Sequence, residues 1–412
     1  MSAHTRCRIC QTQLPEPFLD LGPMSLANAF LKNRSDFKKE PRFPLAVAGC
    51  PDCGLVQLTE TVPPEQLYRN YLYVSSTSDA VRVYASTLAA RICARYRLGP
   101  EDRVAELGSN DGLILKAFQG LGTQVLGIEP ARNLARIAQA RGVPTVSEFF
   151  CAKTVRKILS GKEKGKQARV LLGRHVFAHI DDWHDFMAAA DHFLTPDGVL
   201  LIEVPYLKNL LEADEFDTIY HEHLSYIALA PIARLAEMTG FQLIEAEPVA
   251  LHGGSILMTL QRKGSGRPTS NLKTLLAAER KLKLTDPAAF NRFAGRVRRW
   301  KGRFESLVQR IAESGGRLAG YGAAAKANTL LNFCPEAAAR LVCVLDRSPH
   351  KQGLWTPGTH LPVRSPEGWN PNGITHLVIL AWNFQEEIVR QMESFRAGGG
   401  RFLIPIPAPR VI

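Results

Sequence analysis

Between Arg103 and Arg262 short apolar runs alternate with stretches whose apolar residues recur at helical spacing. The runs are RVAEL, VLGIEP, PTVSEFF, ARVLLGRH and GVLLIEVP. Strands joined by helical crossovers pair in parallel, so this alternation predicts a doubly wound α/β sheet with ligand chemistry beyond the C-terminal ends of its strands. FQLIEAEPVA, a His252-Gly253-Gly254 turn and SILMTLQR then read as an antiparallel hairpin added to that sheet. The alternation fills less than half of the 412 residues, and at roughly 100 to 200 residues per domain two or three globular domains are expected.

The first strand–helix junction carries chemistry. In RVAELGSNDGLILKAF, Gly108 and Gly112 permit a tight turn, and the spacing E-x-G-x-x-x-G differs from the dinucleotide signature. Glu106, Ser109, Asn110 and Asp111 line the loop with acids and amides, which suit an ammonium group better than a phosphate. The next strand ends in Glu129 and Pro130, and Glu129, 17 residues past Gly112, can accept hydrogen bonds from ribose hydroxyls. S-adenosylmethionine meets these requirements, with its adenine toward Phe149 and Phe150. The bland alternative is an ordinary α/β core whose glycines only permit turns.

Cys7-x-x-Cys10 and Cys50-x-x-Cys53 are two identical knuckles 39 residues apart. Four thiolates can close a tetrahedral zinc shell that leaves no position for substrate, which predicts structural zinc. Cys93, Cys151, Cys334 and Cys343 lack such spacing and are expected to act as small apolar residues. The N-terminal residues contain no apolar signal region, and no run reaches the ~18 apolar residues needed to span a bilayer. A cytoplasmic protein without membrane contact is expected.

Tyr220-His221-Glu222-His223 follows the strand GVLLIEVP and an acidic stretch with Glu215 and Asp217. Histidines at i and i+2 point to different faces of a helix, so the helical zinc pattern is absent. A neutral imidazole is nevertheless a suitable general base, with Tyr and Glu as partners.

RKGSGRPTSNLK and a helix with a basic outer face then lead to GRLAGYGAAAKAN, a second strand–turn–helix with Gly320 and Gly322. Asp346 follows at a strand end, 24 residues past Gly322. Alone, this segment resembles a dinucleotide site. Lys plus Arg 51 against Asp plus Glu 39 gives a net charge of +12, which raises nucleic acid as a partner. With 8% aromatic residues and no nucleic-acid-binding motif, solvated helix faces and attraction of an acidic small substrate account for the charge instead.

Together these segments resemble the sugar C-methyltransferases, which methylate a ring carbon of nucleotide-linked 4-keto-deoxysugars. Cys7-x-x-Cys10, LANAF and Cys50-Pro-Asp-Cys53 resemble that family's zinc domain, and Tyr71 to Ser76 the segment leading into its central domain. ELGSNDG, GIEPA, FAHIDD and YHEHLSY resemble its class I methyltransferase domain, and GYGAAAKANTLLN with VLDRSPHKQG its C-terminal domain. The resemblance implies a zinc-binding domain over 1–75, a methyltransferase domain over 76–265, a helical linker over 266–312 and a Rossmann-like domain over 313–412. It implies His223 as the base that makes an enolate, Tyr220 and Glu222 assisting, and Tyr71 or Tyr73 lining the sugar pocket. Neither proton removal nor methyl transfer needs a metal, so the zinc is expected far from the reaction. Gly173-Arg174-His175 stands where an Asn-rich version is expected. The C-terminal domain is expected either to hold the substrate's nucleotide or to be structural, in a monomer or small homo-oligomer. The rival readings are a methyltransferase acting on oxygen or nitrogen, a non-catalytic binding protein, and an NAD-dependent oxidoreductase using Gly320 to Asp346.

Overall fold

The computed structural model describes residues 2–69, 71, 73–77, 79–161, 165–249, 254–371 and 373–412; the His252-Gly253 turn and Leu72 lie outside the described residues. Near the N-terminus the strands β1 (Leu19–Met24), β2 (Phe43–Gly49) and β3 (Val56–Leu58) pair antiparallel. Helix α1 (Asp79–Tyr96) leads to the central sheet. Its strands are β4 (Arg103–Leu107), β5 (Gln124–Ile128), β6 (Thr145–Val146), β7 (Ala168–Arg174) and β8 (Leu194–Pro205), with helix α2 (Leu113–Gly120) after β4. A two-residue strand, β9 (Ser225–Tyr226), precedes the hairpin of β10 (Phe241–Val249) and β11 (Ser255–Arg262).

Among the described residues the central sheet has seven strands in the order β10-β11-β8-β7-β4-β5-β6, parallel except around β11. Strand alternation divides its buried side chains between two layers. Val104, Val170 and Leu201 face α1 and α2 through Leu88, Ile92 and Phe118. Ala105, Leu171 and Ile202 face Phe186, Phe193 and Leu235 on the other side. Burial on both faces explains why these strands read as continuous apolar runs, and the antiparallel hairpin stands where its sequence predicts.

The basic helix α3 (Pro287–Glu313) is capped by the Asp286 side chain, which accepts from Ala288 N at 2.9 Å. Phe290, Phe293, Val297, Trp300, Phe304, Val308 and Ile311 recur at three- and four-residue steps and are buried, while Arg292, Arg298, Arg299 and Arg303 face solvent. The apolar stripe enters one core with Leu45 and Val47 of the N-terminal sheet and with Leu330 and Leu403 of the C-terminal region. The helix therefore packs between the flanking sheets and fastens them together. Beyond it lie β12 (Leu318–Tyr321), α4 (Ala325–Phe333), β13 (Leu341–Leu345), β14 (Val363–Arg364), β15 (His376–Ile379), β16 (Arg401–Ile404) and β17 (Arg410–Val411). They form a second sheet, β14-β13-β12-β15-β16-β17, parallel except for β17. Among the described residues, no helix is long and apolar enough to cross a membrane.

Strand β9 pairs with β3, so residues between β8 and β10 of the central sheet complete the N-terminal sheet. Nearby, a Cβ added at Gly49 would lie 2.3 Å from the Phe290 ring, which itself stacks on Phe18 at 4.7 Å. Gly49→Ala is accordingly expected to cost about 1–3 kcal/mol of stability through overpacking. A lower denaturation midpoint at unchanged m value would register it; an unchanged midpoint would show that the ring yields freely.

Candidate active site

A cavity of about 570 Å³ opens beyond the C-terminal ends of β4, β5 and β7, where the N-terminal, central and C-terminal parts of the chain meet. One wall is the glycine loop. Gly108 and Gly112 take φ of +57° and +76°, and a Cβ on Gly108 would meet Val176 at 2.5 Å, so the loop needs glycine for both conformation and close approach. Glu106, Gly108, Ser109, Asn110, Glu129, Pro130 and Phe150 line the cavity. Asp111 turns away to pair with Arg141, while Gly112 begins α2 outside the lining.

Two carboxylates behave differently here. Glu106 is buried with Oε2 unpartnered among the described residues. Burial, reinforced by Glu129, Asp111 and Glu203, pushes its pKa up to about 8 against the opposing Arg174. Glu129 accepts from Ala131 N at 2.8 Å and Asn110 N at 2.7 Å, which fixes it against the glycine loop. Asn110 also reaches across the cleft, its Oδ1 accepting from Ser75 N at 2.9 Å and its Nδ2 donating to Tyr73 O at 3.0 Å. Asn133 brackets Tyr71 in the same way, through Tyr71 N at 3.1 Å and Tyr71 O at 2.8 Å. Both tyrosines thereby line the cavity.

The opposite wall carries Tyr220 and His223. The His223 Nδ1 lies 2.9 Å from Thr218 O, a pure acceptor, so Nδ1 carries the proton and donates. Nε2 is then the acceptor for the Tyr220 hydroxyl at 2.8 Å. Burial pushes His223 down to about 3, with His175 and Lys326 adding to it against the Thr218 carbonyl. The imidazole is therefore neutral at ordinary pH. Glu222 does not line the cavity: Asn28 Nδ2 donates to its Oε1 at 2.9 Å, and burial raises its pKa.

Several lining groups had no role in the sequence reading. His179, in the quoted FAHIDD, stacks on Tyr68 and on His223, both at 5.3 Å between ring centroids, and burial lowers its pKa well below the usual range. Its position just past the end of β7 was the available signal. Glu215, on the lining, and Asp217, outside it, are pushed up to about 7 and about 6 by burial, against the opposing Lys326. Lys326, Asn383 and Phe384 reach the cavity from the C-terminal sheet. Lys326 lies 4.6 Å over the Trp382 ring, whose Nε1 donates to Asp217 at 2.7 Å. Arg174 forks onto Glu203 at 2.9 and 3.2 Å. Burial disfavours the Glu203 carboxylate, yet His175 and Arg174 outweigh it and draw its pKa below the ordinary value.

The second glycine turn holds its strand-end acid with two backbone N–H groups, as the first holds Glu129, but Asp346 lies outside the cavity lining. Asp346 accepts from Ala323 N and Ser348 N, both at 2.8 Å, so its two oxygens fix the turn itself.

Cys7 and Cys53 Sγ lie 3.5 Å apart, Cys10 and Cys50 Sγ 3.4 Å apart, and all four within 4.8 Å of one another. Zinc at ~2.3 Å from each sulfur would set tetrahedral edges of about 3.8 Å, so the four cysteines fit that ion. Among the described residues they are the one group of three or more His, Cys, Asp or Glu side chains placed to share a metal. None of the four cysteines lines the cavity, yet one side chain links the knuckle to the segment after His223. Arg8, inside the knuckle, donates to Leu224 O at 3.4 Å, the residue after His223, because β9 brings that segment into the N-terminal sheet.

Residues 7–68 match a zinc binding domain, residues 81–246 a methyltransferase domain, and residues 250–407 a C-methyltransferase C-terminal domain. C-methyltransferase NovU of Streptomyces niveus is 34% identical over 98% of this chain and 96% of its own length. A ubiquinone biosynthesis O-methyltransferase of Burkholderia pseudomallei (strain 1710b) is 21% identical over 37% of this chain and 70% of its own. The structure of magnesium protoporphyrin IX methyltransferase ChlM from Synechocystis PCC 6803 with bound SAM overlaps 44% of this chain and 79% of that one, at 12% identity and a TM-score of 0.33. The similarity to NovU runs through all three parts of the chain, whereas the other two are partial.

Proposed function

The chain belongs to the C-methyltransferase family, and from that premise we propose that it methylates the carbon beside the ketone of a nucleotide-linked 4-keto-deoxysugar, after His223 has removed the proton from that carbon. The observation that carries this reading is the tautomer of His223: Nδ1–H is fixed on Thr218 O, and Nε2 is left as the basic atom beside the cavity. S-adenosylmethionine supplies an electrophilic methyl group on its sulfonium.

Glu106 receives the cofactor's ammonium, Glu129 its ribose, and Phe150 borders the adenine. The loop around Gly108 to Asp111 and Gly112 shapes this half, and Pro130 closes it. Tyr71 and Tyr73 flank the sugar, while Lys326 and Asn383 make the C-terminal sheet a platform for the nucleotide-bearing end. An imidazole pushed down to about 3 is by itself a weak base. A developing enolate beside it favours the imidazolium through opposite charge, so proton transfer becomes favourable with the substrate in place. The C–H proton passes to Nε2 and its electron pair becomes the enolate. Tyr220, released from Nε2, can turn its hydroxyl to the enolate oxygen. With the cofactor held by Glu106 and Glu129 and the sugar between Tyr71, Tyr73 and His223, the walls would hold the methyl ~3 to 3.5 Å from the enolate carbon, whose new bond replaces the carbon–sulfur bond. Glu222 acts behind this wall by holding Asn28.

His223→Asn is expected to lower turnover about 10²- to 10⁴-fold. It should also abolish deuterium wash-in from heavy water at the sugar carbon without cofactor. A panel of nucleotide-linked 4-keto-6-deoxysugars with labelled cofactor identifies the substrate and the carbon methylated. Turnover without any solvent exchange, or label on oxygen or nitrogen, would overturn the reading. Because His223 stays neutral well below its usual range, no acid limb of kcat/KM between about pH 5 and 8 should vanish in an active substitute at that position.

Glu106 gives an independent check. Burial pushes its pKa up to about 8, so at about pH 6.5 it holds a proton that must leave when the carboxylate meets an ammonium. Binding of S-adenosylhomocysteine should release close to one proton, and affinity should rise as pH rises toward 8. Calorimetry in buffers of different ionisation heat measures the release, and Glu106→Gln should abolish it. Equal proton release by both proteins would remove Glu106 from this role.

A further inference from the structure

The link between the zinc knuckle and the segment bearing His223 runs through one side chain. Arg8 stands between Cys7 and Cys10, yet its side chain is 1% exposed and points out of the knuckle toward the cavity wall. Nε donates to Asp181 Oδ1 at 2.9 Å, and Nη2 donates to Thr61 Oγ1 at 2.7 Å. Nη1 donates to Leu58 O at 3.0 Å and Leu224 O at 3.4 Å. The Arg8 backbone N–H donates to Gln57 Oε1 at 2.8 Å, and Gln57 is the register partner of Ser225. Asp181, Thr61 and Leu224 all line the cavity, Asp181 two residues after His179 and Leu224 one after His223.

We propose that Arg8 is a positioning residue for the base, and that zinc acts on the reaction through it by fixing the knuckle from which the guanidinium reaches. The proposal rests on the reading of His223 given above. A buried guanidinium needs several acceptors in fixed directions, and its planar fork can hold a carboxylate and separate backbone carbonyls at once. Here the fork spans both segments that carry the stacked histidines. The knuckle is the one end of this link that a metal can hold rigid, since its backbone is tied at both cysteines of the Cys7–Cys10 pair. Loss of the metal frees residues 7–10, and with them the anchor of Leu224. A misplacement near 1 Å at a reacting group can cost about 10²-fold in rate.

The test uses full-length, zinc-loaded protein. Arg8→Met removes the fork without leaving a buried charge alone, because the Asp181 side chain is 44% exposed. It is expected to keep its zinc by elemental mass spectrometry and to bind S-adenosylhomocysteine within about threefold of wild type, while kcat per titrated cofactor site falls about 10²-fold. Backbone amide exchange should speed up over residues 220–226 and stay unchanged over 103–112. Arg8→Lys keeps the charge, covers the case in which the Met variant fails to fold, and should fall in between. Stripping zinc from the wild type with a chelator should raise exchange over the same 220–226 segment. Wild-type kcat per site in both variants, or unchanged exchange over 220–226 in the variants and in the zinc-free protein, would overturn the proposal. Full activity in His223→Asn would instead overturn the reading of the site, and the exchange measurement would still report on Arg8 alone.

Discussion

The pairing of Ser225–Tyr226 with Val56–Leu58 is the contact on which the rest of the structure depends. It places the residues after His223 at the edge of the N-terminal sheet, and Leu58 N donates to Leu224 O at 2.9 Å to extend the ladder by one residue. Buried backbone groups that lose such partners cost about 1–3 kcal/mol each, so the segment is specified in register as well as in place. Side chains from the same N-terminal unit finish the attachment. Tyr68 donates to Glu222 O at 2.9 Å, Asn28 to Glu222 Oε1, and the His221 Nε2 contacts Pro44 O at 3.2 Å. A small domain buries too little surface to be rigid alone. Here its core is continuous with the α3 stripe and with Phe216 and Leu330, so the three parts share one apolar interior.

Electrostatics at the cavity follow from that enclosure. Burial alone leaves Glu106, Glu215, Asp217 and Glu222 biased toward their neutral forms and His179 and His223 toward theirs. Glu203 is the exception, ionised because Arg174 satisfies it with two directed hydrogen bonds. A ligand bearing an ammonium, a sulfonium or a developing enolate therefore changes the protonation balance of these groups as it binds. Proton inventory and ligand recognition are then one property of the same buried groups.

The parts of this architecture legible in the sequence are those fixed by local rules. The glycine loop, the runs of the central sheet, the hairpin and the two cysteine knuckles each follow from spacing over short stretches, because parallel burial, turn conformation and metal geometry act over such distances. Lone-pair partners are different. Asp111 and Glu129 look alike in the text, yet the first turns to Arg141, 30 residues away, and the second faces the cavity. Asp346 has the spacing of a ribose acceptor and is held by two backbone N–H groups as Glu129 is, but it does not line the cavity. Lys326 reaches the site only through docking of the C-terminal sheet, and Arg8 hides within a motif whose cysteines account for its neighbourhood. No periodicity carries such information, since it depends on how separately folded layers meet.

That meeting also bears on what a metal held by four cysteines away from the cavity lining does for the site. The cofactor half of the cavity is built on strand ends inside a covered sheet and is rigid by burial. The turn carrying Tyr220 and His223 links a single 3₁₀ turn to a two-residue strand, and its buried neighbours Phe216, Ile219 and Leu224 pack into the core shared with the N-terminal sheet and α3. It also leans on the N-terminal unit through the β9–β3 pairing, and the knuckle end of that unit holds few apolar residues of its own. Four metal–thiolate bonds supply rigidity there in a few residues. Alignment between a carbon nucleophile and an incoming methyl is thereby set at interfaces between layers, and the precision of each interface is limited by its least rigid partner.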